Sequence, residues 1–128
     1  MLFLLKILPS PGNRRELLDI LRSVVGPTSI QPGCLVCGIY EGSGEDQTVL
    51  YMERWGSLAS IQRHIQSILY LKILAAMELS TVQPEVSFYE TSKVWGMELL
   101  ESLRTPEVDC RKDAAGALRR PDEFKEAK

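Results

Sequence analysis

The sequence predicts an α+β fold in which strands and helices follow the order β-α-β-β-α-β. Three observations support this class. The 128-residue chain opens on a short apolar run, strand-like and helix-like periodicities then follow in this order, and a polar loop with glycines joins the two middle strands. The order is that of the split βαβ, or ferredoxin-like, fold, with one four-stranded antiparallel sheet and both helices on one of its faces.

The first strand and the first helix are predicted within residues 2–27. Leu2–Leu8 is almost wholly apolar, which is typical of a strand covered on both faces. Ser10 is the predicted N-cap of the following helix, and Pro11 suits its first position. Apolar side chains then recur at helical spacing over residues 17–25. Gly26-Pro27 predicts the end of this helix.

The remaining core elements follow the same reasoning. Strands are predicted over Cys34–Tyr40 and over "TVLYMERW", joined by the loop "EGSGEDQ". The next segment is helical, with Ser57 as its cap and a break near Ser67. Pro84 precedes the last strand, "EVSFYETSKV". This domain is predicted to span residues 1–94.

A C-terminal extension is predicted over residues 95–128. It begins with a short helix over residues 95–104, whose apolar face contains Trp95, Leu99, Leu100 and Leu103. From Thr105 onward the chain is charged and rich in small residues, a composition typical of mobile segments.

The second strand has apolar residues on both predicted faces. Leu35, Cys37 and Ile39 alternate with Cys34, Val36 and Tyr40. Since the helices cover only one face of the sheet, a second covering layer is required. A twofold-related copy of the chain would supply it, so the sequence predicts a homodimer formed through the sheet face.

Composition and charge exclude several classes of function. The 15 basic and 17 acidic residues give a net charge of −2, which predicts neither a nucleic-acid nor a membrane-surface partner. No apolar run is long enough to cross a bilayer, and Lys6 interrupts the N-terminal run, which therefore does not resemble a signal peptide. The odd number of three cysteines favours a reducing, cytoplasmic location.

Cys34 and Cys37 form a C-x-x-C pair that has three interpretations. A zinc site needs four ligands. Besides this pair, the only candidate ligands are the single histidine, His64, and Cys110 in the tail. A redox dithiol normally lies at a helix N-terminus, whereas this pair lies in a predicted strand. Residues three apart on a strand point to opposite faces, which favours the third interpretation, small buried hydrophobic residues.

A few polar side chains are candidates for chemistry. His64 is either structural or a base beside a pocket, since histidine titrates near neutral pH. Tyr51, Glu53 and Trp55 share one face of their strand, and Arg54 points the other way. We expect the partners of Glu53 on adjacent strands or in a second subunit.

Tyr40 and Tyr89 lie on strands near this face and extend the aromatic cluster. Such a cluster is typical both of a small-molecule pocket and of a core with buried tyrosines. The sequence contains no phosphate-binding loop, no metal-ligand cluster and no serine–histidine–aspartate set. We therefore expect no tethered cofactor and no metal.

Taken together, these motifs resemble the antibiotic biosynthesis monooxygenase family of dimeric α+β barrels. The resemblance covers about residues 1–94, and it depends on a helix entry with Pro-Gly, a Pro-Gly-Cys before the second strand, and Glu-Arg-Trp before a helix with histidine. The matching residues are Pro11, Gly12, Pro32, Gly33, Cys34, Glu53, Arg54, Trp55 and His64.

The resemblance implies oxidation of a quinol or polyphenol by O₂ without a bound metal or flavin. His64 would accept or position a proton, and Trp55 and the tyrosines would form the aromatic wall of the substrate pocket. Tyr70 occupies the place of a second histidine that is frequent in the family. Leu2–Leu8 lacks the asparagine of the haem-degrading members, so haem degradation is not expected. The alternative is a non-catalytic dimeric module that binds or senses a small molecule.

Overall fold

A computed structural model describes residues 1–105 of the chain. It has one sheet with strand order β2-β3-β1-β4, in which all neighbours are antiparallel. The predicted ferredoxin-like α+β class is confirmed. The elements are β1 (Leu2–Ile7), α1 (Arg14–Ser29), β2 (Cys34–Glu41), β3 (Val49–Trp55), α2 (Leu58–Ile65), α3 (Tyr70–Met77), β4 (Glu85–Tyr89) and α4 (Met97–Leu103).

The core lies between the sheet and the helices that cover one of its faces. Along β3, burial alternates with the two-residue period of a strand, so every second side chain points at the helices. Helices α1, α2 and α3 supply the opposing layer. The buried apolar residues are Phe3, Leu5, Ile7, Leu17, Leu18, Leu21, Val24, Val49, Tyr51, Trp55, Ile61, Tyr70, Ile73 and Ala76.

Helix α1 begins later and ends later than predicted. Asn13, not Ser10, occupies the N-cap position, because Ser10 to Asn13 form a turn in which the Asn13 N–H donates to the Ser10 carbonyl at 3.0 Å. Gly26-Pro27 does not end the helix, which continues to Ser29. Gly26 has no Cβ to clash with the proline ring, and a proline in the last turn forfeits only one backbone hydrogen bond.

The predicted break near Ser67 is confirmed, and it separates α2 from α3. Ser57 caps α2, as predicted, through its hydroxyl, which accepts from the Ser60 N–H at 3.1 Å. At the far end, the hydroxyl and the N–H of Ser67 both donate to the His64 carbonyl, at 2.6 and 3.0 Å. The break therefore leaves His64 at the end of α2 and Tyr70 at the start of α3.

A β-bulge at Leu35 changes the predicted faces of the second strand. Cys34 pairs with Trp55 and Cys37 pairs with Glu53, with a register shift between Cys34 and Val36. Both cysteines therefore lie on the helix-facing side, and the prediction that they point to opposite faces is wrong. The extra residue in the bulged strand accounts for the error, since it shifts the alternation by one position.

The turn before β2 approaches α2 closely. Gly33 has φ +91°, and a Cβ built on it would lie 2.5 Å from the Cβ of Ser60. The Gly33 carbonyl also accepts from the Gly56 N–H at 2.8 Å. Glycine is needed here both for the positive φ and for the close approach.

The outer face of the sheet, which we define by Leu2, Leu4, Leu50 and Met52 together with their neighbours, is of mixed polarity. These four side chains are half-buried. The same face also carries the exposed side chains of Lys6, Arg54, Tyr40 and Tyr89. Strands β2 and β4 form the two edges, so the sheet of one chain is open rather than closed into a barrel.

The chain divides into two units between Thr91 and Ser92, whereas the sequence pattern predicts the boundary after Val94. In the second unit, α4 has no buried residue, and the Lys93 ammonium lies 3.9 Å from the centre of the Trp95 ring. The predicted polar tail and Cys110 fall on residues 106–128, outside the described part of the chain. None of the helices within residues 1–105 has the length and apolar character required to cross a membrane.

Candidate functional site

A fully buried carboxylate, that of Glu53, lies at the centre of the candidate site. Three side chains contact its two oxygens. The Tyr51 hydroxyl donates to Oε2 at 2.5 Å, and the Trp55 indole N–H donates to Oε1 at 3.0 Å. His64 Nε2 lies 2.8 Å from Oε2. A carboxylate in an apolar core is tolerated only with partners of this kind.

Strand geometry and helix geometry each supply part of this cluster. Tyr51, Glu53 and Trp55 are two residues apart on β3, so their side chains project from the same face. His64 comes from the last turn of α2, whose start is fixed by the Ser57 cap. The cluster therefore depends on the packing of one helix against one strand.

Two aromatic rings enclose the His64 imidazole. The Trp55 ring lies 5.0 Å from it, centre to centre, at an interplanar angle of 31°, and the Tyr70 ring meets it edge to face at 5.4 Å. The imidazole is fully buried. Its Nδ1 atom has no hydrogen-bond partner within the described residues. A buried ring nitrogen without a hydrogen bond destabilises the fold, so Nδ1 is the atom of the site that a bound molecule could pair with.

The Cys37 thiol extends the cluster toward the edge of the sheet. Its sulfur lies 3.3 Å from the Tyr51 hydroxyl oxygen. Because Tyr51 gives its own proton to Glu53, the thiol is the donor in this contact. The order of donation is therefore from Cys37 to Tyr51 and from Tyr51 to Glu53.

The phenols and thiols of the site remain protonated at neutral pH. Burial raises the pKa of Cys37 to about 11, and the charge of Glu53 adds to this shift, whereas the hydrogen bond to Tyr51 opposes it. Burial and the Glu53 carboxylate raise the pKa of Tyr70 to about 12 and that of Tyr51 far above its ordinary value. Burial also raises the pKa of Cys34. These groups can therefore donate hydrogen bonds but do not supply a base.

An apolar cavity of about 340 Å³ lies on the other side of α2. Its lining residues are Met1, Leu58, Ile61, Gln62, Ile65, Gln66 and Phe88. Neither His64 nor Trp55 lines this cavity, and their side chains are 0% and 1% exposed. The imidazole is thus close in sequence to the cavity wall but is not part of it.

The structure brings together four of the six predicted site residues. Tyr51, Glu53, Trp55 and His64 form the cluster, whereas Tyr40 and Tyr89 lie on the outer face of the sheet. Tyr40 pairs with Leu50, and Tyr89 pairs with Leu2, both of which point away from the helices. The expectation that Glu53 finds its partners on adjacent strands or in another subunit is wrong, because its partners lie on β3 itself and on α2.

The sequence pattern does not predict Tyr70 and Cys37 as members of the site. The family resemblance places Tyr70 at the position of a second histidine, six residues after His64, and this spacing is the signal for it. Cys37 contacts Tyr51 because the hairpin register places Cys37 opposite Glu53, one strand period from Tyr51, and the sequence pattern does not fix this register. No group of three or more metal-ligating side chains occurs in the part of the chain that the structure describes.

The fold and this cluster define a ferredoxin-like α+β domain with a carboxylate–imidazole pair buried between sheet and helices. Residues 3–76 match the family model described as "Antibiotic biosynthesis monooxygenase". The chain therefore belongs to the antibiotic biosynthesis monooxygenase family.

Solved structures share the fold. The chain is 23% identical to Rv0793 from Mycobacterium tuberculosis, with a TM-score of 0.65 over 73% of this chain and 97% of that one. A conserved protein from Methanosarcina mazei Go1 gives 21% identity and a TM-score of 0.65, over 71% and 91% of the chains. A structure named as an antibiotic biosynthesis monooxygenase gives 16% and 0.63, over 73% and 100%. At these identities the likeness shows a common fold.

A curated relative matches a shorter segment. The uncharacterized protein sll1783 from Synechocystis is 28% identical over 57 residues, which is 44% of this chain. The match spans 39% of the length of that protein, so the two are similar over a part of each.

Replacing Glu53 by glutamine is expected to lower the free energy of unfolding by about 1–3 kcal/mol. The amide NH₂ is itself a donor, and at either oxygen position it faces a group that already donates. Urea denaturation followed by tryptophan fluorescence measures the change. Glu41→Gln is the control, because Glu41 is an exposed partner of Arg14 and its loss should cost less than about 1 kcal/mol. Equal effects of the two variants would contradict the arrangement.

The protein is expected to lose stability as the pH rises from about 9 to 11. Folding raises the pKa of Cys37 from 9.0 to about 11. The protonated thiol therefore contributes fully to the stability of the fold below pH 9, and this contribution is lost as the pH rises through about 11. Tyr70 and Tyr51 add to the loss above pH 10. Thermal unfolding at a series of pH values measures the trend. Cys37→Ala should make the decline between pH 9 and 10 shallower, and an unchanged slope would contradict the assignment.

Proposed function

We propose that this protein is a cofactor-independent monooxygenase that oxidises a quinol- or polyphenol-type aromatic molecule with O₂. Membership of the family supports the class of reaction. The observation that carries the proposal is the buried Glu53–His64 pair, with its contact of 2.8 Å and an Nδ1 atom that has no partner among residues 1–105. In this proposal His64 is the catalytic base.

The first step is a proton transfer. A phenolic O–H of the substrate gives its proton to the imidazole of His64, and the Glu53 carboxylate stabilises the imidazolium that forms. The phenolate then transfers one electron to O₂, giving a phenoxyl radical and superoxide. These combine to form a carbon–oxygen bond, the imidazolium returns the proton to the peroxide, and loss of water leaves a carbonyl group on the product.

The proposal requires the side chains around the imidazole to move when substrate binds, because His64 and Trp55 are buried. The apolar cavity beside α2 supports an approach from that side. Ile61 and Ile65 belong to its wall and lie one turn before His64 and directly after it. Trp55, Tyr51 and Tyr70 would then form the aromatic wall. Tyr40 and Tyr89 are not part of this proposed pocket wall, since they lie on the opposite face of the sheet.

Oxygen uptake with a panel of hydroquinones tests the proposal. His64→Gln is expected to lower kcat at least about 100-fold, the usual contribution of a general base. Arg63→Gln is the matched control, because Arg63 is the exposed neighbour on the same helix and its change should leave the rate unaltered. Circular dichroism of both variants checks that they are folded. Uptake by the wild-type protein no faster than the buffer across the panel would contradict the proposal.

A second candidate function is a non-catalytic module that binds a small molecule. The observation that favours it is the full burial of His64, together with an apolar cavity that the imidazole does not line. Saturable binding of a hydroquinone by calorimetry, without oxygen uptake and with no effect of His64→Gln on affinity, would support this function over the first.

We also propose that the chain forms a homodimer through the outer face of its sheet. Leu2, Leu4, Leu50 and Met52 are apolar and only half-buried in the single chain, and a second copy would cover them. A twofold interface brings the same patch of each copy together, so one set of residues suffices.

Sedimentation velocity at micromolar concentration tests the dimer. The wild-type protein should sediment as a dimer, and Leu50→Lys should shift it toward the monomer because it places two like charges in the interface. Leu71→Lys is the control, since Leu71 is 60% exposed on α3, away from this face. A compact wild-type monomer, or equal behaviour of the two variants, would count against the proposal.

The cytoplasmic location stays a prediction. Cys34 and Cys37 carry free thiols, which suits a reducing compartment. Fractionation of cells that express the tagged protein would test it, and recovery from a secreted fraction would contradict it.

A further inference from the structure

We infer that Tyr51 and Trp55 are positioning residues that hold Glu53 as a carboxylate and thereby fix the tautomer of His64. In this arrangement Nε2 carries the proton and Nδ1 is the free acceptor. The part of this inference that concerns catalysis rests on the proposed function, whereas the tautomer itself can be observed without any substrate.

The Trp55 indole fixes the direction of one of the hydrogen bonds to Glu53. An indole N–H donates and never accepts, so Glu53 Oε1, which lies 3.0 Å from Trp55 Nε1, must accept. The Tyr51 hydroxyl donates to Oε2 at 2.5 Å, and the Cys37 thiol occupies the acceptor side of that same hydroxyl. Both oxygens of Glu53 therefore receive a proton donor before His64 is considered.

The tautomer of His64 follows from the hydrogen bonds that Glu53 already accepts. Two donated hydrogen bonds favour the charged form of a carboxylate, and they oppose the effect of burial, which favours the neutral acid. A third donor on Oε2 completes the set, and His64 Nε2 is the atom in place at 2.8 Å. An imidazole that donates from Nε2 keeps its lone pair on Nδ1 when it is neutral.

Nδ1 is then the nitrogen that can take a proton from a bound molecule. It is buried and has no partner within residues 1–105, and the rings of Trp55 and Tyr70 hold the imidazole in place. Without Tyr51 and Trp55, Glu53 would lose two of its three donors. The carboxyl group would then hold a proton and donate it to Nε2, which would move the proton of His64 to Nδ1 and block the base.

The chain contains one histidine, so its imidazole signals are free of overlap. Nitrogen-15 NMR of protein labelled at histidine distinguishes the two tautomers. We expect the wild-type protein to show the Nε2–H tautomer in its neutral form, and the Tyr51→Phe/Trp55→Phe double variant to show the Nδ1–H tautomer. Tyr70→Phe is the matched control, because it removes a buried phenol beside the same imidazole that has no hydrogen bond to Glu53 among the described residues.

A wild-type spectrum of the Nδ1–H tautomer would overturn the inference, as would an unchanged tautomer in the folded double variant. If the double variant does not fold, the infrared difference spectrum between wild type and Glu53→Gln decides. A carboxylate band at position 53 supports the inference, and the carbonyl band of a protonated acid overturns it.

The proposed positioning role of Tyr51 in catalysis is tested separately, by steady-state kinetics. Tyr51→Phe should lower kcat at least about tenfold with little change in KM, since an imidazole in the wrong tautomer is a poor base. Failure to find oxygen uptake in a wild-type protein that shows the Nε2–H tautomer would contradict the proposed function and leave the tautomer assignment standing. A Tyr51→Phe variant with full activity and an altered tautomer would overturn the positioning role.

Discussion

The buried carboxylate of Glu53 is the constraint on which the arrangement of β3, α2 and α3 depends. A carboxylate without donors would be strongly destabilising in this core, so each of its partners must be held in place. The period of β3 places Tyr51 and Trp55 on the correct face, and the cap and end of α2 place His64. The break at Ser67 then brings Tyr70 against the imidazole.

The fold was predictable because it follows from local periodicity, whereas the errors arise where one residue changes the local geometry. The bulge at Leu35 places Cys34 and Cys37 on the same face, and no residue type marks it. Pro27 remains helical because the residue before it is glycine, a compensation that the usual helix-stop pattern ignores.

The site was predictable only in part, for a related reason. The shared face of Tyr51, Glu53 and Trp55 follows from a two-residue period, but the approach of His64 depends on how α2 packs on the sheet. Tyr40 and Tyr89 lie on the outer face, which the sequence pattern does not predict. Their faces depend on strand register, and a shift of one residue transfers a side chain from the core to the opposite face.

The cluster is not explained by stability alone. Apolar side chains of similar volume in place of a buried ion pair or polar network are often as stable or more so. They would also leave no atom like Nδ1, which has no hydrogen-bond partner in the described part of the chain. The same burial strengthens the Glu53–His64 interaction, because little water screens it. A site of this kind exchanges some stability of the fold for an imidazole that is held in one orientation, which is the property that the proposed general base requires.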